Sequence, residues 1–159
     1  EANVQLQMGH KEAFKELIEE ATVKDPNNAE LQYNLGVIAA EADDTETAEK
    51  YYKKAIELDP NYADAYNNMA VVILSKEQDI VDQMNKLGVS AADDKKFEQL
   101  KKDQKALYQS AIPYLEKTLE LRPENLEAAK TLMNIYSVTE NTEKFKAMKA
   151  KVEEMQSQE

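Results

Sequence analysis

A motif that recurs at a fixed interval is the feature that most constrains this chain. The segment KDPNNAE at residues 24–30 is followed 34 residues later by LDPNYAD at residues 58–64. A third copy, LRPENLE at residues 121–127, arrives 29 residues later than this interval requires. A fixed period of this length indicates an array of similar units that pack on their neighbours, and the delay indicates that one unit is enlarged.

The segments between these copies have the apolar spacing of helices. Leu31, Leu35 and Ile38 follow an i, i+4, i+7 pattern. The second half of the unit repeats this spacing with Ala48, Tyr52 and Ala55. The chain has only three glycines and four prolines, and no run of alternating residues is long enough for a strand. We therefore predict an all-α protein in which each unit is a pair of helices.

Polar residues that follow the prolines predict where each next helix begins. Asn27, Asn61 and Glu124 each have an acidic residue three positions later. This spacing is typical of a capping box, in which both side chains bond to backbone amides of the first turn. We expect these three residues to be N-caps.

The pattern as a whole resembles the tetratricopeptide repeat, whose signature is W-x2-L-G-x2-Y, then A-x3-F, then P. The matching residues of the three units are Gln32, Leu35, Gly36, Ala39, Ala48, Tyr52 and Pro60; then Tyr66, Met69, Ala70, Ile73, Ala111, Leu115 and Pro123; then Ala129, Leu132, Met133 and Tyr136. The resemblance implies a right-handed superhelical array of antiparallel helix pairs. We expect Gly36 to let two paired helices approach closely while Tyr52 fills the space beside it.

The repeats divide the chain into four parts of a single domain, residues 1–159. These parts are a partial first repeat (1–26), a complete repeat (27–60), a repeat with about 29 inserted residues (61–123) and a C-terminal repeat (124–159). The last helix has only a narrow apolar stripe, formed by Phe145, Met148, Val152 and Met155, and is predicted to be a cap. The chain begins partway through the first helix of a pair and has no capping segment before it, so at least one further repeat is expected to precede Glu1.

The inserted residues have the pattern of a helical hairpin. Apolar residues spaced by three, four or seven form a predicted seam between its arms: Ile80, Met84, Leu87, Phe97, Leu100 and Leu107. We expect the first arm to be one helix from about residue 62 to 87, ended by Gly88, and the tip to lie near residues 88–92. Ser90 and Asp93 predict a capping box for the second arm, and Gln104 is expected to set the register of the seam.

Pro113 falls within the predicted second arm. Proline inside a helix removes a hydrogen bond and costs ~3 kcal/mol or more. Ser110 has the chemistry of an N-cap that would place Pro113 in a first helical turn. We therefore predict a kink or a break within residues 109–113.

Charge and hydropathy argue against a nucleic-acid partner and against a transmembrane segment. The net charge is −11, and residues 1–80 carry −10 of it. An acidic surface is a poor phosphate-binding surface, so no nucleic-acid partner is expected. The longest apolar run, residues 69–74, is too short to span a bilayer, so no transmembrane segment is expected.

The residues needed for catalysis or metal binding do not come together in the sequence. There is no cysteine, and the single histidine, His10, is expected at a solvated turn. The acidic segment at residues 41–46 lacks the glycine and distal glutamate of a calcium loop, and its carboxylates favour a helix start. We predict that the chain is not an enzyme and holds no cofactor or metal.

The face of the first helix of each pair that lies opposite its apolar stripe is the candidate binding surface. Its residues are Tyr33, Asn34, Val37, Asn67, Asn68, Val71, Lys130 and Asn134. An asparagine side chain offers two donors and an acceptor to a peptide backbone, although asparagine in such repeats also has packing roles. Similar family members bind extended peptides in this groove, some through asparagines and others through a lysine-rich carboxylate clamp. Tyr33, Val37, Asp64 and Glu127 stand where basic groups would help a clamp, which disfavours that mode.

The leading hypothesis is a non-enzymatic scaffold that presents a concave groove and a projecting hairpin to a protein or peptide partner. The alternative is an assembly subunit that forms homo-oligomers through the hairpin and the uncapped N-terminal end. An enzyme whose catalytic domain precedes Glu1 is a third alternative. The extended-hairpin unit is similar to exported repeat proteins of Gram-negative bacteria, which implies a location in the periplasm or cell envelope.

Overall fold

A computed structural model describes the backbone of residues 2–157 and the side chains of residues 12–13 and 15–157. The described residues form eight α-helices and no strand, which confirms the all-α prediction. The helices are α1 (Ala2–Lys24), α2 (Ala29–Glu41), α3 (Thr45–Leu58), α4 (Ala63–Ser75), α5 (Glu77–Asn85), α6 (Ala91–Leu121), α7 (Leu126–Val138) and α8 (Thr142–Gln156). The chain divides into two compact units, one that ends at Asn68 and one that begins at Met69.

The first unit is organised around the close approach of two helices. In it α1 packs against α2, and α2 packs against α3. At Gly36 on α2, a Cβ atom would lie 2.6 Å from ring carbons Cδ1 and Cε1 of Tyr52 on α3. Tyr52 is 1% exposed, and Ala48 and Ala55 beside it are fully buried. The predicted roles of Gly36 and Tyr52 are confirmed, because a residue without a side chain makes room for the ring.

Each proline of the repeated motif is the second residue of a β-turn between two helices. In every case the residue two positions after the proline donates its backbone N–H to the carbonyl of the residue before the proline. These hydrogen bonds are Asn28 N to Asp25 O (3.3 Å), Tyr62 N to Asp59 O (3.1 Å) and Asn125 N to Arg122 O (3.1 Å). Proline suits this position because its fixed φ matches the turn. The motif therefore encodes a turn of fixed length.

This turn places the N-caps one residue later than predicted. Asn28, not Asn27, caps α2, because its side chain accepts hydrogen bonds from the N–H groups of the first turn. Asn125, not Glu124, caps α7 in the same way. Asn61 lies in the turn itself, and α4 begins two residues after it. The prediction was wrong at all three sites because the helix cannot start until the β-turn is complete.

The turns between α2 and α3 and between α7 and α8 share a second conformation. Asp43 and Glu140 have φ values of 58° and 60°, in the left-handed region. The next residues, Asp44 and Asn141, donate backbone N–H groups to the carbonyls of Ala39 (3.0 Å) and Tyr136 (2.9 Å), which is the Schellman pattern. The side chains of Asp44 and Asn141 then cap α3 and α8. The predicted structural role of the acidic segment at residues 41–46 is confirmed.

In the second unit α5 packs on α6, α6 on α7, and α7 on α8. Its most deeply buried residues include Thr118, Ala129 and Leu132, each at 0% exposure. On α8 only Val152 is fully buried, at 5% exposure, while the other three residues of its predicted stripe are half-buried. The rest of α8 is exposed or half-buried, as predicted for a helix with a narrow apolar face.

The first arm of the hairpin is not one helix, which corrects the predicted run from residue 62 to 87. The ladder is interrupted at Lys76, whose backbone N–H bonds to the Ile73 carbonyl three residues back. The Ser75 hydroxyl donates to the Val72 carbonyl at 2.8 Å, a bond that competes with the helical ladder. The arm therefore consists of the end of α4 and the separate nine-residue helix α5.

The turn between α5 and α6 confirms one predicted signal and corrects another. Ser90 caps α6 in a complete capping box with Asp93, as predicted. Hydrogen bonds from the Ser90 side chain and backbone hold the pKa of Asp93 below its ordinary value. Gly88 does not end the first arm in a left-handed conformation, because α5 ends at Asn85 and no described glycine has positive φ.

No break occurs at Pro113, so the predicted alternative of a helix break within residues 109–113 was wrong. α6 runs from Ala91 to Leu121 as one helix, and Ser110 donates to the Leu107 carbonyl instead of acting as an N-cap. Pro113 and Gln109, whose carbonyl loses its helical partner, both lie on the exposed face. Water can satisfy that carbonyl, which reduces the cost of the proline.

Candidate protein-interaction surfaces

One face of α2 carries a polar stripe opposite the buried face. Glu30, Asn34, Val37 and Glu41 follow the i, i+4, i+7, i+11 spacing of a single helix face. Asn34 and Val37 are half-buried, and the two glutamates are exposed. The buried residues of α2 lie on the other side and are Gln32, Leu35, Gly36 and Ala39. We call Glu30, Asn34, Val37 and Glu41 the α2 stripe.

A cluster of tyrosines lies next to the α2 stripe and is rigid. The ring of Tyr33 packs against that of Tyr52, with 5.7 Å between centroids, and against that of Tyr62, with 4.9 Å. Burial raises the pKa of Tyr52 to about 12, against an opposing effect of its hydrogen bond with Asn68. Burial, followed by nearby negative charge, raises the pKa of Tyr62 to about 12. These phenols therefore stay protonated at neutral pH.

The asparagines of the first unit have different surroundings. Asn68 donates its side-chain N–H to the Tyr33 hydroxyl at 3.0 Å. Asn67 donates to the Asn68 side-chain oxygen over 3.4 Å. The Asn34 side chain makes no hydrogen bond with any residue that the structure describes. Asn68 thus has an internal structural role, and the Asn34 amide keeps its hydrogen-bonding capacity for another molecule.

The predicted groove residues of the second unit lie on α4 and α7. Val71 on α4 is 57% exposed. On α7, Lys130 is half-buried and forms an ion pair with Glu127 at 3.4 Å. Asn134 is exposed one turn further on. The charge of Lys130 is therefore partly neutralised by its own helix.

The residues of the predicted hairpin seam differ widely in burial. Leu100 is 6% exposed, whereas Ile80, Met84, Leu87 and Leu107 are half-buried. Phe97 is 41% exposed, and the Lys101 amine lies 5.9 Å from its ring centroid. At the tip, Val89 is fully exposed at 101%. The end of the hairpin therefore presents apolar side chains to solvent.

A polar contact at the base of the hairpin joins its two arms. Gln104 donates to Glu77 Oε1 at 2.9 Å, and the Tyr108 hydroxyl donates to the same oxygen. Tyr108 is 9% exposed, and burial together with the hydrogen bond to Glu77 raises its pKa. Gln104 was predicted to set the register. Its partners were missed, although Tyr108 follows Gln104 by one helical turn and so shares its face.

Neither a metal-ligand cluster nor a membrane-spanning helix occurs in the part of the chain that the structure describes. The described residues contain no group of three histidine, cysteine, aspartate or glutamate side chains placed to hold a metal ion. His10 lies outside the residues whose side chains are described. No helix within residues 2–157 is long and apolar enough to cross a membrane.

Comparison with known proteins supports the repeat assignment. Models of the tetratricopeptide repeat match residues 29–62 and residues 51–88. Over 113 residues, 70% of the chain, the sequence is 28% identical to Photosystem I assembly protein Ycf3 of Rippkaea orientalis (strain PCC 8801 / RF-1). That match spans 57% of the length of the relative.

Solved structures show the same fold. The crystal structure of MamA protein superposes with a TM-score of 0.67 over 96% of this chain and 67% of that chain, at 20% identity. A second structure, MamA MSR-1 C2, gives a TM-score of 0.61 over 96% of this chain and 71% of that chain, at 16% identity. Both superpositions confirm the predicted fold class, an all-α array of helix pairs. Residues 29–88 therefore match the tetratricopeptide repeat, and the chain has the fold of a helical array of that kind.

Proposed function

We propose that this protein is a non-enzymatic scaffold that binds an extended peptide segment of a partner protein along the α2 stripe. The observation that carries the proposal is the Asn34 amide, which has no described hydrogen-bond partner and lies beside a rigid tyrosine cluster. A side-chain amide can donate to and accept from a peptide backbone without requiring a particular sequence. Helical repeat proteins use surfaces of this kind for extended partners.

The rigidity of the surface supports the proposal further. Tyr33 is packed between two other rings and accepts a hydrogen bond from Asn68, so its position is set before any partner arrives. A preorganised surface loses less conformational entropy on binding than a mobile one. Val37 on the same stripe offers a small apolar contact between the polar groups.

The partner class also agrees with the names of related proteins. The curated relative is described as an assembly protein for photosystem I, and that description belongs to the relative alone. For this chain we propose the shared and more general role, a platform for protein–protein interaction or assembly.

A displayed library of random dodecapeptides, selected on the purified protein, tests the proposal. Fluorescence anisotropy would then compare the selected peptides on the wild type and on Asn34→Ala, Val37→Glu and the control Lys53→Ala, an exposed change on α3. We expect Asn34→Ala and Val37→Glu to weaken binding at least about tenfold, equivalent to about 1.4 kcal/mol, and the control to bind like the wild type. Equal binding by all four proteins would refute the proposed surface.

The exposed side chains of Val89 and Phe97 favour a second candidate function, self-assembly through the hairpin tip. Exposed apolar groups at one place commonly mark an interaction site. Sedimentation equilibrium of the wild type against a Val89→Asp, Phe97→Glu double variant would test it. Assembly predicts an oligomer that the variant loses, whereas a monomer in both cases would rule it out.

A location in the periplasm or cell envelope is also proposed. It depends on the similarity of the extended-hairpin unit to exported repeat proteins of Gram-negative bacteria. Fractionation of cells that carry the tagged native protein would test it, and recovery in the cytoplasmic fraction alone would contradict it.

A further inference from the structure

The second unit contains a cleft that none of the predicted surfaces includes. It lies between α6, α7 and α8 and has a volume of about 380 Å³. Its most buried lining residues, which we call the floor, are Leu119, Leu132 and Tyr136, at 6%, 0% and 2% exposure, and the more exposed apolar lining is Ala147 and Met148 of α8. Sites for small ligands or single anchoring side chains are of about 300 Å³ and upwards, so the cleft is large enough for one apolar side chain.

One end of the cleft is closed by a neutral network. Glu116 accepts hydrogen bonds from the Tyr136 hydroxyl and from the Lys144 ammonium group, both at 2.7 Å. The Lys144 ammonium group also lies 5.3 Å from the Tyr136 ring centroid. Burial alone would raise the pKa of Glu116, but the hydrogen bonds from Lys144 and Tyr136 outweigh it and the pKa is lowered. The charges at this end therefore neutralise each other.

The other acidic residue of the cleft is neutralised as well. Glu120 forms an ion pair with Lys117 at 2.5 Å. Neither glutamate is therefore available to attract a cation. A basic ligand would have to displace one of these internal pairs before it could bind.

Lys151 differs from the other charged residues of the cleft. It lies seven residues after Lys144 on the same face of α8, about 10.5 Å along the helix at 1.5 Å per residue. Its side chain is half-buried and has no ion pair or hydrogen bond with any residue that the structure describes. Lys149 on the same helix, by contrast, pairs with Glu153 at 3.8 Å. An ammonium group without a described ion-pair partner gains from an added carboxylate.

We infer that this cleft binds a short segment of a protein partner, with an apolar side chain packed against Ala147 and Met148 above the buried floor residues, and a carboxylate paired with Lys151. The distance from the neutral end to Lys151 matches about three residues of extended chain at 3.3 Å each. The charge complementarity selects an acidic rather than a basic segment. None of these residues belongs to the α2 stripe, so the cleft is a second site in addition to the proposed peptide surface.

Two small probes that differ only in charge test the inference: N-acetyl-leucine, which carries the carboxylate, and N-acetyl-leucinamide, which does not. Methyl NMR of the whole protein would follow Leu119, Leu132 and Met148 during titration. We expect both probes to shift these methyl signals and the acid to bind about fivefold more tightly, the gain of one partly exposed ion pair.

Four variants assign the effect to individual residues. Lys151→Gln should lower the affinity for the acid to that for the amide, whereas Lys146→Gln, an exposed lysine on the same helix, should change neither. Ala147→Phe should fill the cleft and abolish both titrations, and Ala150→Phe, exposed and outside the cleft, should leave them unchanged. Equal affinities for acid and amide, no methyl shifts with either probe, or a Lys151→Gln protein that behaves like the wild type would each overturn the inference.

Discussion

Replacement of Gly36 by alanine tests the packing on which the first unit depends. In an ordinary exposed helix this change would stabilise the protein by about 1 kcal/mol, because glycine is a poor helix former. Here the new Cβ would lie 2.6 Å from two ring carbons of Tyr52, about 1 Å inside normal carbon–carbon contact. Tyr52 is 1% exposed and also packs on Tyr33, so its ring cannot move into solvent.

The expected outcome follows from these opposing contributions. Overfilling a packed core costs about 1–3 kcal/mol, and the displaced ring would also disturb the contact with Tyr33. We expect Gly36→Ala to lower the free energy of unfolding by about 1–2 kcal/mol after the gain in helix propensity. Thermal unfolding followed by circular dichroism would measure the change in stability. Amide hydrogen exchange of α2 and α3 would show whether the change is local to this helix pair, because repeat units can unfold separately.

A second substitution identifies the cause. In a Tyr52→Leu background the ring is absent, so Gly36→Ala should be neutral or stabilising, with a coupling of about 1–3 kcal/mol between the sites. Gly88→Ala is the control, because its Cβ would meet only the exposed Asp93 carboxylate oxygen at 3.0 Å. A Gly36→Ala protein that is more stable than the wild type, or an equal loss in both backgrounds, would refute this packing argument.

Three further predictions concern stability. Glu77→Ala should increase amide hydrogen exchange across α5, because α5 has no fully buried residue and the Tyr108 hydroxyl would lose its acceptor, at a cost of about 1–3 kcal/mol. Glu77→Gln keeps an acceptor for Tyr108 and should exchange more slowly than Glu77→Ala. Equal exchange in the two variants would contradict this prediction. In the folded state the pKa of Glu116 lies below its ordinary value of 4.5. The ionised Glu116 side chain therefore stabilises the fold above that ordinary value, and this stabilisation is lost as the pH falls through the lowered pKa. Melting temperatures between pH 7 and pH 3 should therefore decline more for the wild type than for Glu116→Gln, and parallel declines would refute the assignment. Glu140→Gly should raise the free energy of unfolding by about 0.5–1 kcal/mol in urea, because glycine adopts a φ of 60° without strain. A lower free energy of unfolding than that of the wild type would contradict this prediction.

The helical repeat was predictable from the sequence because it is encoded by local, periodic signals. The proline turns recur in register, and Gly36 and Tyr52 occupy matching places in their helices. The caps that follow the proline turns were not predicted correctly, because such a cap depends on how many residues the preceding turn contains, whereas the Ser90 cap was predicted correctly. The tolerance of Pro113 depends on whether the nearby carbonyl faces solvent, which the local sequence does not state.

The candidate surfaces were predictable in outline only. The asparagines were identified from their position on helices, but the bond from Asn68 to Tyr33 joins residues 35 positions apart. That bond decides which asparagine has an internal partner and which keeps its hydrogen-bonding capacity. Likewise the contact of Glu77 with Gln104 and Tyr108 spans the whole hairpin. Such pairings depend on tertiary geometry, so residue spacing alone could not reveal them.

The central claim is that a partner peptide lies along the α2 stripe, and chemical-shift mapping with a selected peptide tests it most directly. Backbone and side-chain amide signals of the isotopically labelled protein would be followed to saturation. We expect the largest changes at Asn34, Val37 and their neighbours on α2, with the Asn34 side-chain amide among them. Changes confined to the exposed residues of α3, with the Asn34 amide unaffected, would contradict it.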